Sequence, residues 1–146
     1  MGLDQYAYRV DRHPDNDDFS FVRSFTNDEG EVKVLKTYIE ICCWRKHPNL
    51  HGFMEALWQH KLILTPNHGI EEIEDWNAFN LQPLRLTLDD LADLEKCLKN
   101  KLLPSTTGFF FGDNSDDYYL KQDLAFIKEA RKLIAEGYDI YYDSWW

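Results

Sequence analysis

Residues 102–124 constrain the fold more than any other part of the chain. Pro104 lacks a backbone N–H and ends any helix that precedes it. Three consecutive phenylalanines follow between Gly108 and Gly112 and favour a short buried strand. A new helix is predicted to begin at Ser115 or Asp116, which offer cap side chains. The stretch therefore predicts two separate helices joined by that short strand.

Apolar residues recur at helical spacing in three segments. The segment before Pro104 follows the N-cap candidate Thr87 and contains a leucine stripe, Leu91, Leu94, Leu98 and Leu102. The segment after Ser115 has the stripe Leu120, Leu124, Ile127, Ala130 and Ile134. A third segment follows Pro48, with Leu50, Phe53, Met54, Leu57 and Trp58 on one face. We expect three helices.

Strand-forming residues separate these helical segments. Alternating or β-branched and aromatic residues predict strands over residues 4–10, 31–45, 83–86 and 138–142. The later part of the second segment, residues 38–44, could also begin a helix. Strands first, followed by mixed helices and strands, are typical of the α+β class. We predict a single α+β domain over residues 1–146, with a small antiparallel sheet packed against about three helices.

Charge and cysteine usage exclude several classes of protein. The net charge of −10 opposes binding to nucleic acid and to anionic membranes. Apolar runs stay shorter than the roughly 18 residues of a membrane span. Cys42, Cys43 and Cys97 do not form a disulfide framework, and we expect reduced, buried thiols in a cytoplasmic protein.

Metal and cofactor chemistry have weak support in the sequence. His47, His51 and Glu55 are spaced four residues apart, which places them on one side of the predicted helix. They could bind zinc, but a solvated polar face explains the same spacing, and we expect that face. Neither GxxxxGK(S/T) nor GxGxxG occurs in the sequence. We predict no metal and no cofactor.

Two charged clusters are the candidates for a site. Arg45, Lys46 and His51 form the best cationic cluster, and Asp117 with Tyr118 belongs to the best acidic one, which also includes Asp116. If a cleft brought the clusters together, they could bind phosphate or perform acid–base chemistry. An ordinary network of salt bridges explains the same residues.

Several short motifs, spread over nearly the whole chain, resemble a family of small uncharacterised proteins from phages and prophage-bearing bacteria. The matching residues are 1–6, Trp44-Arg45-Lys46, Leu50-His51, Phe53, residues 108–112, Tyr118-Tyr119 and residues 142–145. Cys43 departs from the family pattern, as do His47 and Pro48. The resemblance implies no activity, but it implies that Asp4, Trp44 and the two charged clusters belong to one functional region.

We therefore predict a non-enzymatic interaction protein of phage or prophage type that binds a host protein or another partner. Seven residues are predicted to bind the ligand: Asp4, Trp44, Arg45, Lys46, His51, Asp117 and Tyr118. The alternative is a small phosphate- or nucleotide-binding protein or hydrolase. It would use Arg45 and Lys46 for a small anionic ligand and His51 or Asp117 for acid–base chemistry.

Overall fold

The computed structural model describes residues 2–22, 25–26, 30, 32–33, 38–65, 79–108 and 111–146. The described strands are β1 (Asp4–Asp11), β2 (Phe25–Thr26), β3 (Val32–Lys33), β4 (Tyr38–Arg45), β5 (Leu84–Leu86) and β6 (Tyr138–Trp145). The described helices are α1 (Pro48–Leu64), α2 (Leu88–Lys99) and α3 (Asp116–Ala135). This is a small α+β fold, and it confirms the predicted fold class.

The main sheet has the strand order β4-β1-β6-β5, and every neighbouring pair is antiparallel. β1 is central because it pairs with β4 on one side and with β6 on the other. Gln5 and Ala7 are buried on one face of this strand and Val10 on the other, while Asp11 is exposed. Asp4 stands opposite Arg45 on one side and Trp145 on the other. The ends of β1, β4 and β6 therefore meet at one corner of the sheet.

All three helices pack on one face of this sheet. Their buried faces contribute Leu50, Met54 and Trp58 from α1, Leu91, Leu94 and Leu98 from α2, and Phe126, Ile127 and Ala130 from α3. These side chains meet Ile140 and Tyr142 of β6 in one core. A smaller cluster of Val10, Phe21 and Tyr141 covers the opposite face.

Local signals set where the helices begin. Thr87 and Asp90 form a capping box at α2: the Thr87 hydroxyl accepts from Asp90 N, and the Asp90 carboxylate accepts from Thr87 N. Pro48 occupies the first turn of α1, where its missing N–H leaves no intrahelical bond unmade. Ser115 occupies the N-cap position of α3, as predicted, but its side chain makes no capping hydrogen bond. Gly137 follows the end of α3 with a φ of 102°.

Three predicted elements differ from the structure. The strand predicted over residues 31–45 contains two described strands, β3 and β4, and residues 34–37 lie outside the described residues. Phe111 is buried as predicted, but it lies in a turn, and its N–H donates to Gly108 O. The rest of that predicted strand, residues 109–110, also lies outside the described residues. In the stripe predicted for α3, Ile127 and Ala130 are buried and Leu120, Leu124 and Ile134 are half-buried, while Tyr119 and Asp123 are buried although the predicted stripe does not include them.

Candidate functional site

The centre of the fold contains a buried carboxylate. Asp123 of α3 is 1% exposed, and its Oδ1 accepts from Trp44 Nε1 at 2.8 Å. Its Oδ2 lies 2.7 Å from Nε2 of His47, which is 0% exposed. A carboxylate can only accept, so this contact assigns the ring proton to Nε2 and leaves Nδ1 as an acceptor when the imidazole is neutral. These partners compensate the cost of burying the charge.

Gln5 connects this carboxylate pair to a second buried histidine. Its Oε1 accepts from His47 N at 2.9 Å, and its Nε2 donates to His47 O at 3.1 Å and to the Tyr142 hydroxyl at 3.0 Å. The Tyr142 hydroxyl lies 2.9 Å from His51 Nδ1. A chain of buried polar contacts therefore runs from Asp123 through β1 and β6 to His51.

His51 lies inside the core and not on a solvated face. Its ring packs against Phe79, Phe111 and Trp146, with ring centroids 4.7 to 5.3 Å apart. Burial lowers the pKa of His51 to about 3, so the imidazole is neutral at physiological pH. The predicted solvated face of His47 and His51 is therefore wrong, and so is the placement of His51 in a cationic cluster.

The thiols also differ from expectation, because the predicted buried cysteines are only partly enclosed. Cys43 is exposed, and Cys42 and Cys97 are half-buried. Burial raises the pKa of the Cys42 thiol to about 11, so this thiol is protonated at physiological pH.

Two side chains beside the His47–Asp123 pair fix the position of α3 against β4. The Tyr119 hydroxyl accepts from Arg45 N at 3.0 Å and donates to Arg45 O at 2.8 Å. The Tyr119 ring stacks on His47 with a centroid distance of 4.8 Å. The Ser115 hydroxyl donates to Lys46 O at 2.9 Å. These hydrogen bonds hold the first turn of α3 against the end of β4.

Hydrogen bonds also hold the loop before α3 against α1. Asn49 Nδ2 donates to Asp116 Oδ2 at 3.0 Å, and Asn49 Oδ1 accepts from Thr106 N at 2.9 Å. Gly52 allows this approach, because a Cβ at that position would lie only 1.8 Å from Thr106 Oγ1. Asn49 therefore joins the loop and the start of α3 at one point.

A cleft of about 550 Å³ opens between the C-terminal end of α2 and the start of α3. The α2 side contributes Cys97, Leu98, Lys101 and Leu103. The α3 side contributes Ser115, Asp116, Asp117, Tyr118 and Leu120. Tyr118 is 81% exposed, which is unusual for a large aromatic side chain and makes this cleft the candidate contact site.

The structure divides the seven predicted site residues among three places. Trp44 and His51 are enclosed in the core. The corner of the sheet holds Asp4, Arg45 and Lys46, and the last two are exposed. The cleft holds Asp117 and Tyr118. Arg45, His51 and Asp117 therefore do not converge in one pocket, and a role in ligand binding stays a prediction for all seven.

The sequence analysis did not predict the buried hydrogen bonds of Gln5, Asn49, Tyr119, Asp123 and Tyr142, and it considered His47 only as a possible zinc ligand and Ser115 only as a helix cap. One signal was present. Asp123 follows Tyr119 by four residues and precedes Phe126 by three, so it lies on an aromatic helix face. A carboxylate on such a face indicates a buried, paired acid.

None of the helices in the described part of the chain is long and apolar enough to span a membrane. Within the same residues, no three His, Cys, Asp or Glu side chains are grouped to bind a metal ion. Comparisons with protein-family models, curated proteins and solved structures gave no match for the chain.

Proposed function

We propose that the protein acts by binding another protein and catalyses no reaction of its own. The observation that carries this proposal is the enclosure of the acid–base groups. His47, His51 and Asp123 are each at most 1% exposed. A general acid or base must come within about 3 Å of the proton it transfers, and these three side chains are instead bonded to other groups in the core.

The enclosure of His51 weakens the alternative hydrolase, which needs Arg45, His51 and Asp117 in one concave site. His51 is neutral and buried in the core, whereas Arg45 and Asp117 are both exposed. A phosphate ligand that reached Arg45 would therefore lack His51 as an acid–base partner.

The exposed surface is suited to binding. The cleft combines an exposed aromatic ring, aliphatic side chains and carboxylates, and the chain has a net charge of −10. Aromatic residues are enriched in protein interfaces, and a large charge of one sign attracts partners of the other sign. The resemblance to phage and prophage proteins makes a host protein the partner that we propose.

Site-specific photo-cross-linking tests this proposal. p-Benzoylphenylalanine is placed at Tyr118, in the cleft, or at Lys128, which is exposed further along α3. We expect irradiation in a lysate of the source cells to capture a protein from position 118 and not from position 128. The captured protein, once purified, should bind the wild-type chain.

Two results would contradict the proposal. One is the absence of any cross-link specific to position 118. The other is saturable hydrolysis of a nucleotide or phosphoester by the purified protein that is lost in Arg45→Ala.

A further inference from the structure

We propose that the cleft between α2 and α3 accepts a segment of a partner protein in which a lysine or arginine stands next to a bulky apolar residue. This inference rests on the proposed function and adds the chemistry of the segment that is bound. The acidic edge of the cleft, the exposed ring of Tyr118 and the aliphatic floor carry it, each through a different interaction.

The edge of the cleft favours a cation. Asp117 is exposed and Asp116 is partly exposed, whereas Lys101 is the single basic side chain among the described lining residues. The N-terminus of α3 has a partial positive charge of about half a unit, which does not cancel two carboxylates. Asp116 Oδ2 accepts from Asn49 Nδ2, and Asp116 Oδ1 is enclosed 3.9 Å from His47 Nδ1. Asp117 is therefore the carboxylate that is free to pair with a cation of the partner.

Tyr118 provides a supported aromatic surface beside these carboxylates. Its ring contacts Tyr119 edge to face, with centroids 4.8 Å apart. The Tyr119 hydroxyl is held by both backbone groups of Arg45, so the supporting ring is fixed by β4. A lysine or arginine paired with Asp117 can lie within reach of the Tyr118 ring and gain a cation–π contact.

The floor of the cleft favours an apolar neighbour. Leu98 is buried at the base, and Leu103 and Leu120 are half-buried around it. An apolar side chain placed there is removed from water, and the methylene stem of the adjacent basic residue covers further apolar surface. A nucleic acid fits poorly, because its phosphates would face the Asp116 and Asp117 carboxylates.

A titration followed by ¹⁵N–¹H spectra tests the inference with defined probes. The first probe is the peptide acetyl-Gly-Lys-Leu-Gly-amide. Two control peptides replace its lysine by norleucine or its leucine by serine, and spermidine supplies cations without an apolar neighbour. We expect the first probe to shift the amide signals of residues 97–103 and 114–120 and to bind more tightly than the other three.

Matched variants locate the interaction. Asp117→Asn should weaken binding of the lysine peptide about two- to fivefold, the range expected for one exposed ion pair. Asp89→Asn is the control, because Asp89 is exposed at the same position in the first turn of α2, and it should leave binding unchanged. Tyr118→Ala should also weaken binding, and both cleft variants should fold because these side chains are exposed.

Several outcomes would overturn the inference. These are equal binding of the norleucine or serine peptide, equal binding of spermidine, no shifts with any probe, or the same affinity for Asp117→Asn and Asp89→Asn. A partner cross-linked at position 118 through a segment without a basic residue would also overturn it, while the proposed function would stand. Absence of any cross-link there would instead refute the proposed function.

Discussion

Replacing Asp123 by alanine should destabilise the protein by about 3–5 kcal/mol, the usual cost of removing one partner from a buried charged pair. The variant leaves two buried donors, Trp44 Nε1–H and His47 Nε2–H, without their acceptor. Each hydrogen bond to a charged group contributes about 1.5–3 kcal/mol, which gives a similar total. For a domain of this size, the melting temperature should fall by about 10 °C.

Equilibrium unfolding in urea, followed by tryptophan fluorescence, measures this loss. Glu129→Ala is the matched control, since Glu129 is an exposed acid on the same helix. It should change the free energy of unfolding by less than about 0.5 kcal/mol. Asp123→Asn retains an acceptor for Trp44 and should lose less stability than Asp123→Ala. A loss below about 1 kcal/mol for Asp123→Ala would refute the reasoning that this carboxylate organises the core.

Three further predictions concern stability and can be measured by the same unfolding assay. Gly52→Ala should destabilise the protein because the new Cβ would meet Thr106 Oγ1. The same substitution ordinarily stabilises a helix by about 1 kcal/mol, so an increase in stability would contradict the close contact. Thr87→Ala should cost about 1 kcal/mol by removing the capping box with Asp90, and an unchanged stability would show that the cap contributes nothing. The pKa of His51 is lowered from 6.5 to about 3, so the unfolded state binds the proton first. The free energy of unfolding should therefore fall as the pH drops from 6.5 toward 3, by up to about 1.4 kcal/mol per pH unit. If His51→Gln shows the same dependence of stability on pH as the wild type, protonation of His51 is not its cause.

Local signals were sufficient to predict several elements of the fold. The hydroxyl of Thr87 and the leucine spacing predict α2, and the structure has that helix with Thr87 as its N-cap. The last leucine of the predicted stripe, Leu102, lies beyond the end of α2 and is exposed. The strand predicted over residues 4–10 corresponds to β1. For α2 the capping interaction lies within a few residues, so cap chemistry and periodicity contain the necessary information. For β1 the residue types predict the strand, but its partners β4 and β6 lie far away in the sequence.

The buried network could not be predicted in the same way. His47 and Asp123 are 76 positions apart, and their pairing depends on how α3 packs against the end of β4. Helical spacing places His47 and His51 off the apolar stripe of α1 and so favours a solvated face. The structure instead buries residues 47–51 throughout, because β6, α3 and Phe111 surround the start of α1. Tertiary packing here overrides the local pattern.

The enclosure of His47 and His51 is the observation on which the proposed function rests. Modification by diethylpyrocarbonate, quantified at each histidine by mass spectrometry, tests it most directly. His13 and His60 are exposed, so they should react freely, while His47 and His51 should react at least about tenfold more slowly, since modification requires local opening. Reaction of His47 or His51 at the rate of His60 would show that solutes reach these rings, and it would contradict the enclosure on which the proposed function depends.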